Sequence, residues 1–447
     1  MNKVKRNVLL LIGCMAMGLL TGCESMEEER TEVVSEVSGE ILSLQDFIPK
    51  PEKIITEIDL PESYSYMEES HPQIRNQEGT NTCWAFASLS ALESAKDEDV
   101  QGGYSVDHLI YQNPFDNSFD DGGSYMVSMA YLLSWSGPVA EEADPFDGTS
   151  EESLMPEVHV QEIRQIEPKD YEAIKRFVYL YGGVESALYL DFDEYLENSE
   201  CYNEEKFSYC YQGEAGSNHD IVIIGWDDHY PAENFVGNVI SDGAFLCQNS
   251  WGESFGDHGI FYVSYEDANI GGYGVVYSRV DDIDNYDQIY QSDLCGYTAQ
   301  IGYEQEECWF ANVYKAENDI LLRAAGFYAT GAHTEYEIYV ISNFVDEKSF
   351  RKKEYLGNGF LEDAGYYTID FSREIEIDAG TNFAVVVKIM TQNAEYPVAI
   401  ECPVEGLSEN ADLADGCGYL SYQGSMWEHI ERTKDYNICL KAYAEFR

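Results

Sequence analysis

Positive charge is what this sequence has least of: 26 Lys and Arg stand against 83 Asp and Glu, a formal net charge of −57 over 447 residues. So acidic a chain repels nucleic acid and anionic surfaces, which argues against a nucleic-acid partner and for an exported, soluble protein whose charged patches are solvated faces. Long apolar runs are lacking as well. The stretch Val8 to Leu20 is too short to cross a bilayer comfortably, and it follows Lys3, Lys5 and Arg6 as the core of an export signal does. No twelve-residue calcium loop with regularly spaced acidic ligands and a central glycine occurs, so the sequence assigns no metal site and calls for no cofactor.

The signal closes on Leu20-Thr21-Gly22-Cys23, which resembles the bacterial lipobox. That resemblance implies cleavage before Cys23 and lipidation of its thiol, hence an extracytoplasmic protein anchored by lipid to the bacterial cell membrane. Two or three acyl chains hold a protein at a membrane where one does not. Residues 1–22 are then a lipoprotein signal peptide. Residues 23–56 are an acidic linker, poor in aromatics and without sustained periodicity. Apart from Cys14, Cys23 and Cys83, eight of the 11 cysteines remain, an even number that permits disulfides outside the cell. Cys201 with Cys210 would close a short loop.

The chain is organised around residues 76–92. Gly79-Thr80-Asn81-Thr82 is turn-prone, and Trp84 to Ala95 carries apolar residues at helical spacing. Cys83 therefore falls in the first turn of a helix with Thr82 or Asn81 as N-cap. There the open backbone N–H groups and the positive end of the helix dipole favour an anion, so the thiol is expected to ionise more readily than a free cysteine.

Downstream, Gly216-Ser217-Asn218-His219-Asp220 precedes the β-branched run Ile221 to Ile224, which places His219 at the entrance of a buried strand. A second strand, Ala244 to Gln248, ends at Asn249, and Gly259 to Val263 forms a third. Neighbouring strands can thus present His219 and Asn249 side by side. The interval from Cys83 to His219 falls within the roughly 130–150 residues found between nucleophile and base in one class of cysteine hydrolase, and Asn249 lies somewhat beyond it.

With these residues in place, about 57 to 275 resembles the papain family of cysteine peptidases. The matching stretches are Leu60-Pro61-Glu62-Ser63-Tyr64, Asn76-Gln77 through Ala87, Tyr104-Ser105-Val106-Asp107, Gly122-Gly123, Gly137-Pro138-Val139, Tyr181-Gly182-Gly183-Val184, Asn218-His219 and Asn249-Ser250-Trp251-Gly252 with Gly259. The resemblance implies Cys83 as nucleophile, His219 as its base and later acid, and Asn249 as acceptor of the second imidazole N–H. Gln77 would donate to the oxyanion hole beside the Cys83 backbone N–H. Trp251 would roof the His219–Asn249 bond, while Gly122, Gly123 and Asn218 would border the bound peptide. The family's usual pattern has Cys where Thr80 stands and Gly where Asn81 stands, so its disulfide there is unavailable. Asp220 replaces a small residue; facing the imidazole, it would stabilise the cation and shift the pH range of activity. The acidic loop Asp191 to Ser217 would favour basic peptides.

Beyond residue 280 short β-branched or aromatic segments recur, among them Cys308 to Tyr314, Leu321 to Tyr328, Tyr336 to Val340 and Phe383 to Met390, which argues for an antiparallel β-sandwich. Ala325 to Tyr328, Tyr336 to Val340 and Gly418 to Trp427 resemble the lectin-like domain that follows bacterial papain-type peptidases. The fold class expected is α+β: a papain-like two-lobed peptidase over 57–278, with a helical left lobe and a β-barrel-like right lobe, then an antiparallel β-sandwich over 281–447. The function expected is a cell-surface cysteine peptidase acting on peptide or protein substrates through a Cys-His-Asn triad and a thioester acyl-enzyme, with a carbohydrate or other cell-surface ligand for the C-terminal domain. The alternative is a catalytically silent adhesion lipoprotein that retains the fold.

Overall fold

The computed structural model describes Leu9–Leu10 and residues 58 to 447, apart from 69–72, 96–101, 116–121, 152–153, 191–198, 406, 410 and 415. The whole of the linker 23–56, Cys23 included, and the first part of the 191–217 loop lie outside the described residues. Leu9–Leu10 forms a two-residue strand against Ala299–Ile301. No helix among the described residues is long and apolar enough to cross a membrane.

The first lobe is helical. α1 (Cys83–Ser94) is built from Ala, Leu, Ser and aromatic residues and is apolar almost all round, so it is buried along its length, as such helices must be. α2 (Val106–Gln112) is capped by Ser105, whose side chain accepts the His108 N–H, and α3 (Tyr125–Leu133) packs beside it. The second lobe is a sheet of β1 (Val158–Ile166), β2 (Val184–Leu188), β3 (His219–Asp227), β4 (Ala244–Gln248), β5 (Ile260–Ser264) and β6 (Gly274–Asp282), with α4 (Tyr171–Tyr181) between β1 and β2. β3 is central. It pairs antiparallel with β2, Leu188 opposite His219, and with β4, Val222 opposite Gln248.

Glycine is required where α4 returns towards α1. Gly182 has φ +99°, and a Cβ there would stand 2.4 Å from the Ser94 carbonyl oxygen.

The C-terminal region has the β-rich, sandwich-like form expected. Its strands are β7 (Glu307–Lys315), β8 (Ile320–Ala329), β9 (Thr334–Ile341), β10 (Glu354–Leu361), β11 (Ala364–Ile377), β12 (Asn382–Thr391), β13 (Gly418–Ser421), β14 (Glu428–His429) and β15 (Leu440–Phe446), with a short helix α5 (Ile430–Lys434). One sheet runs β10-β9-β12-β7-β13-β14, and Phe310, Phe327, Val385 and Leu440 fill the space between it and the other. That other sheet does not stop at the domain boundary. β11 pairs with β1, Tyr366 opposite Ile163, so a single sheet, of 13 strands among the described residues, passes from the second lobe into the C-terminal region. Trp135 meets Tyr443 with ring centroids 5.5 Å apart, and Arg279 joins Asp370 at 3.0 Å across the same junction.

Candidate active site

Cys83 is the first residue of α1 and is half-buried. Its sulfur accepts backbone N–H groups from Trp84 and from Asp220, which sets the entrance of β3 against the helix start. His219 opens β3, fully buried, and its Nε2 lies 2.7 Å from Asn249 Oδ1. An amide oxygen at that distance fixes the proton on Nε2 and leaves Nδ1 as the basic nitrogen. Asn249 is held from three sides: its N–H donates to the Gly259 carbonyl at 2.9 Å, its Oδ1 also accepts the Ser250 N–H at 2.8 Å, and the Trp251 ring lies 5.1 Å from the imidazole.

Gln77 belongs to the same cluster through Ser250. Its N–H donates to the Ser250 carbonyl at 2.8 Å, the Ser250 hydroxyl donates to its Oε1 at 2.6 Å, and its Nε2 donates to the Thr80 carbonyl at 2.6 Å. The amide keeps a second N–H for another acceptor. Gly122 adopts φ +74° near Asn81. Gly123 is pressed onto Trp84, whose ring a Cβ would approach to 2.3 Å. Asn218 plays a different part, since both ends of its amide clamp the Leu190 backbone, at 2.8 and 2.9 Å, and so steady the chain just before His219.

Three sequence expectations change. Thr82 is the N-cap residue, but its side chain makes no cap bond and pairs with Thr80 at 2.6 Å, while its carbonyl accepts the Ala85 N–H at 3.0 Å. Cys210 carries a free thiol; the bridge to Cys201 is not formed, and the two residues meet through a backbone hydrogen bond of 3.0 Å. Asp220 does not serve the imidazole. Successive strand residues point to opposite faces, and its carboxylate accepts the Tyr273 hydroxyl at 2.7 Å.

Asp220 acts on the sulfur instead. Burial pushes the Cys83 thiol up to about 12, helped by the negative charge of Asp220 and then Glu185, against the two N–H groups that favour the thiolate. The readier ionisation expected from the helix terminus alone is therefore outweighed by desolvation. Burial likewise brings His219 down to about 4, with the Asn249 bond opposing it. Burial thus disfavours either charge taken alone. Asp220 itself sits at about 6 through burial, and Glu185, wholly buried, is held well above the usual carboxylate range by burial and by Asp220. Ser88 of α1 donates to Glu185 at 2.6 Å. Sequence reasoning missed Glu185, Ser88, Tyr273 and the Ser250 hydroxyl. The available signal was a lone acid inside the apolar strand Val184 to Leu188.

Next to Asn249 a small cavity, about the size of one water, is lined by Arg75, Ser90, Gln248, Asn249 and Ser250 among others. Arg75 Nε and Asn249 Nδ2 have no protein partner, a polar setting that suits water.

Residues 60–277 match the model of the papain family cysteine proteases, and residues 289–444 match that of the lectin-like domain. Among curated relatives, cathepsin L 1 of Paramecium tetraurelia is 26% identical over 196 residues, 42% of this chain and 54% of that protein. Cathepsin O of Mus musculus is 28% identical over 204 residues, 42% and 58%. The chain thus spans about half the length of the curated relatives it matches. Two solved structures of the clostridial cysteine protease Cwp84 are 22% identical with TM-scores of 0.73: one taken after propeptide cleavage covers 86% of this chain and 99% of that one. The other, described as the cysteine protease and lectin-like domains of a surface layer associated protein of Clostridium difficile, covers 87% and 90%. Those structures share this two-domain fold.

Proposed function

We propose that this chain, which carries a papain-family peptidase domain followed by a lectin-like domain, is a cell-surface cysteine peptidase. Cys83 attacks the scissile carbonyl and His219 Nδ1 takes its proton. The resulting oxyanion is met by the Cys83 N–H and the Gln77 amide, and proton return to the leaving amine gives a thioester that water hydrolyses. The observation that carries this reading is the His219–Asn249 bond of 2.7 Å, together with a Cys83 sulfur that receives the N–H of Asp220, the residue next to His219. Asn249 holds the ring, Trp251 covers the bond from water, and Gly122 and Gly123 leave room for an extended peptide backbone. Lipidation of Cys23 would keep the enzyme at the membrane surface, and the lectin-like domain would hold it to a cell-surface ligand.

Hydrolysis of a peptide library by the purified protein tests the reading. Cleavage that disappears in Cys83→Ala is expected. A wild-type protein that cleaves no member, while binding cell surfaces undiminished, would favour the silent adhesin.

A further inference from the structure

Far from the cleft in sequence, one cluster of side chains takes no part in the chemistry above. Cys417 precedes β13, His429 ends β14 and Glu431 lies in the first turn of α5. They bring a sulfur, an imidazole nitrogen and a carboxylate oxygen within 4.8 Å of one another. β13 and β14 pair with Tyr419 opposite His429, so the hairpin tip at 422–427 departs from this cluster. His429 is only 9% exposed, and its Nδ1 is buried and meets no hydrogen-bond partner. Leaving a buried nitrogen unmet is costly, and coordination at that atom would remove the cost.

We propose that Cys417, His429 and Glu431 bind one divalent ion of the zinc class within the lectin-like domain. The donor set decides the ion. Thiolate and imidazole suit Zn²⁺ and its cobalt surrogate, whereas Ca²⁺ and Mg²⁺ want oxygen ligands. Bonds of about 2.0–2.3 Å put tetrahedral ligands roughly 3.5 Å apart, so the three side chains need close by about 1 Å, within the reach of side-chain adjustment. Binding releases the Cys417 thiol proton to solvent as the metal–sulfur bond forms. Three protein ligands leave a fourth position for water or an incoming donor. The ion would also pin the base of a hairpin whose tip exposes Tyr422 at 47% and Met426 at 84%. Sequence reading finds no such site because its ligands come from the chain before one strand, the end of another and a helix start, not from one metal-binding loop.

The test uses full-length, tag-free protein carrying Cys83→Ala, which removes the other candidate thiolate site. Titration with Co²⁺ should give one equivalent with a sulfur-to-cobalt charge-transfer band, displaced by Zn²⁺. Cys417→Ser should abolish the band, and His429→Ala should weaken Zn²⁺ binding at least about tenfold. Slower amide exchange across 418–430 on adding Zn²⁺ is the second expected sign. No band, or a band of equal intensity in Cys417→Ser, overturns the proposal.

Discussion

In the proposed mechanism what matters first is one proton passed between the Cys83 sulfur and the His219 imidazole. Burial penalises a lone thiolate and a lone imidazolium, as the values of about 12 for Cys83 and about 4 for His219 express. A proton that hops from Sγ to Nδ1 makes adjacent opposite charges instead, and these attract by about 4 kcal/mol at 4 Å in a surface-like medium. Asp220 opposes the hop from the sulfur side. In Asp220→Asn the amide oxygen can still accept the Tyr273 hydroxyl, so the strand should be undisturbed while the thiol is released. Alkylation of Cys83 by iodoacetamide at pH 7.5 is expected to quicken at least about threefold, a change of roughly 0.7 kcal/mol. The gain should shrink below pH 6, where Asp220 in the native protein is itself protonated. Identical pH profiles would show that the carboxylate does not reach the sulfur. Asn249→Ala leaves the imidazole unsteered and should lower kcat/KM at least about tenfold, part of the roughly 10²–10⁴ that a positioned base supplies. Cys83, His219 and Asn249 were legible in the sequence because each sits within its own local pattern of turn, strand and small residues. Asp220 was misread because only the strand's alternation tells which face its carboxylate takes.

Elements aim these side chains. α1 points its uncapped first turn at the cleft, β3 and β4 carry His219 and Asn249 on adjacent strands, and the Gln77–Ser250 clasp ties the loop before α1 to the end of β4. Close approach of Gly123 to Trp84 locks the Gly122–Gly123 loop to the second residue of the same helix. Gly123→Ala drives a methyl into that ring and is expected to cost about 1–3 kcal/mol, read as a lowered melting temperature, with a loss in kcat/KM from the displaced first turn. An unchanged melting temperature would mean that the loop moves freely off the tryptophan. Helix α1 and the C-terminal strands could be found from periodicity and β-branched spacing alone. The junction could not. Residues such as Gln161 and Thr368, whose side chains meet at 2.7 Å, are 207 positions apart in sequence, and no local pattern announces that pairing.

Over the whole molecule, an excess of negative charge meets acids buried at unusual values. Glu401 is raised to about 7, by burial first and with Asp293 also pushing it up. The folded chain keeps that proton where the unfolded chain, with an ordinary carboxylate, has lost it, so folding is favoured most at low pH and less as pH rises towards 7. An offset of this size is worth about 3 kcal/mol. Self-repulsion at a formal charge of −57 acts in the same direction and is screened by salt. Melting temperature is therefore expected to fall between pH 5.5 and pH 8 and to recover in part at high salt; stability that climbs over that interval would contradict both causes. The most direct measurement is intact-mass analysis of the full-length protein after brief exposure to an epoxysuccinyl peptide. One adduct, mapped to Cys83, missing in Cys83→Ala and slowed in Asn249→Ala, is the expected result. No adduct, or labelling spread over the other cysteines at the same rate, would contradict a nucleophilic sulfur at this site.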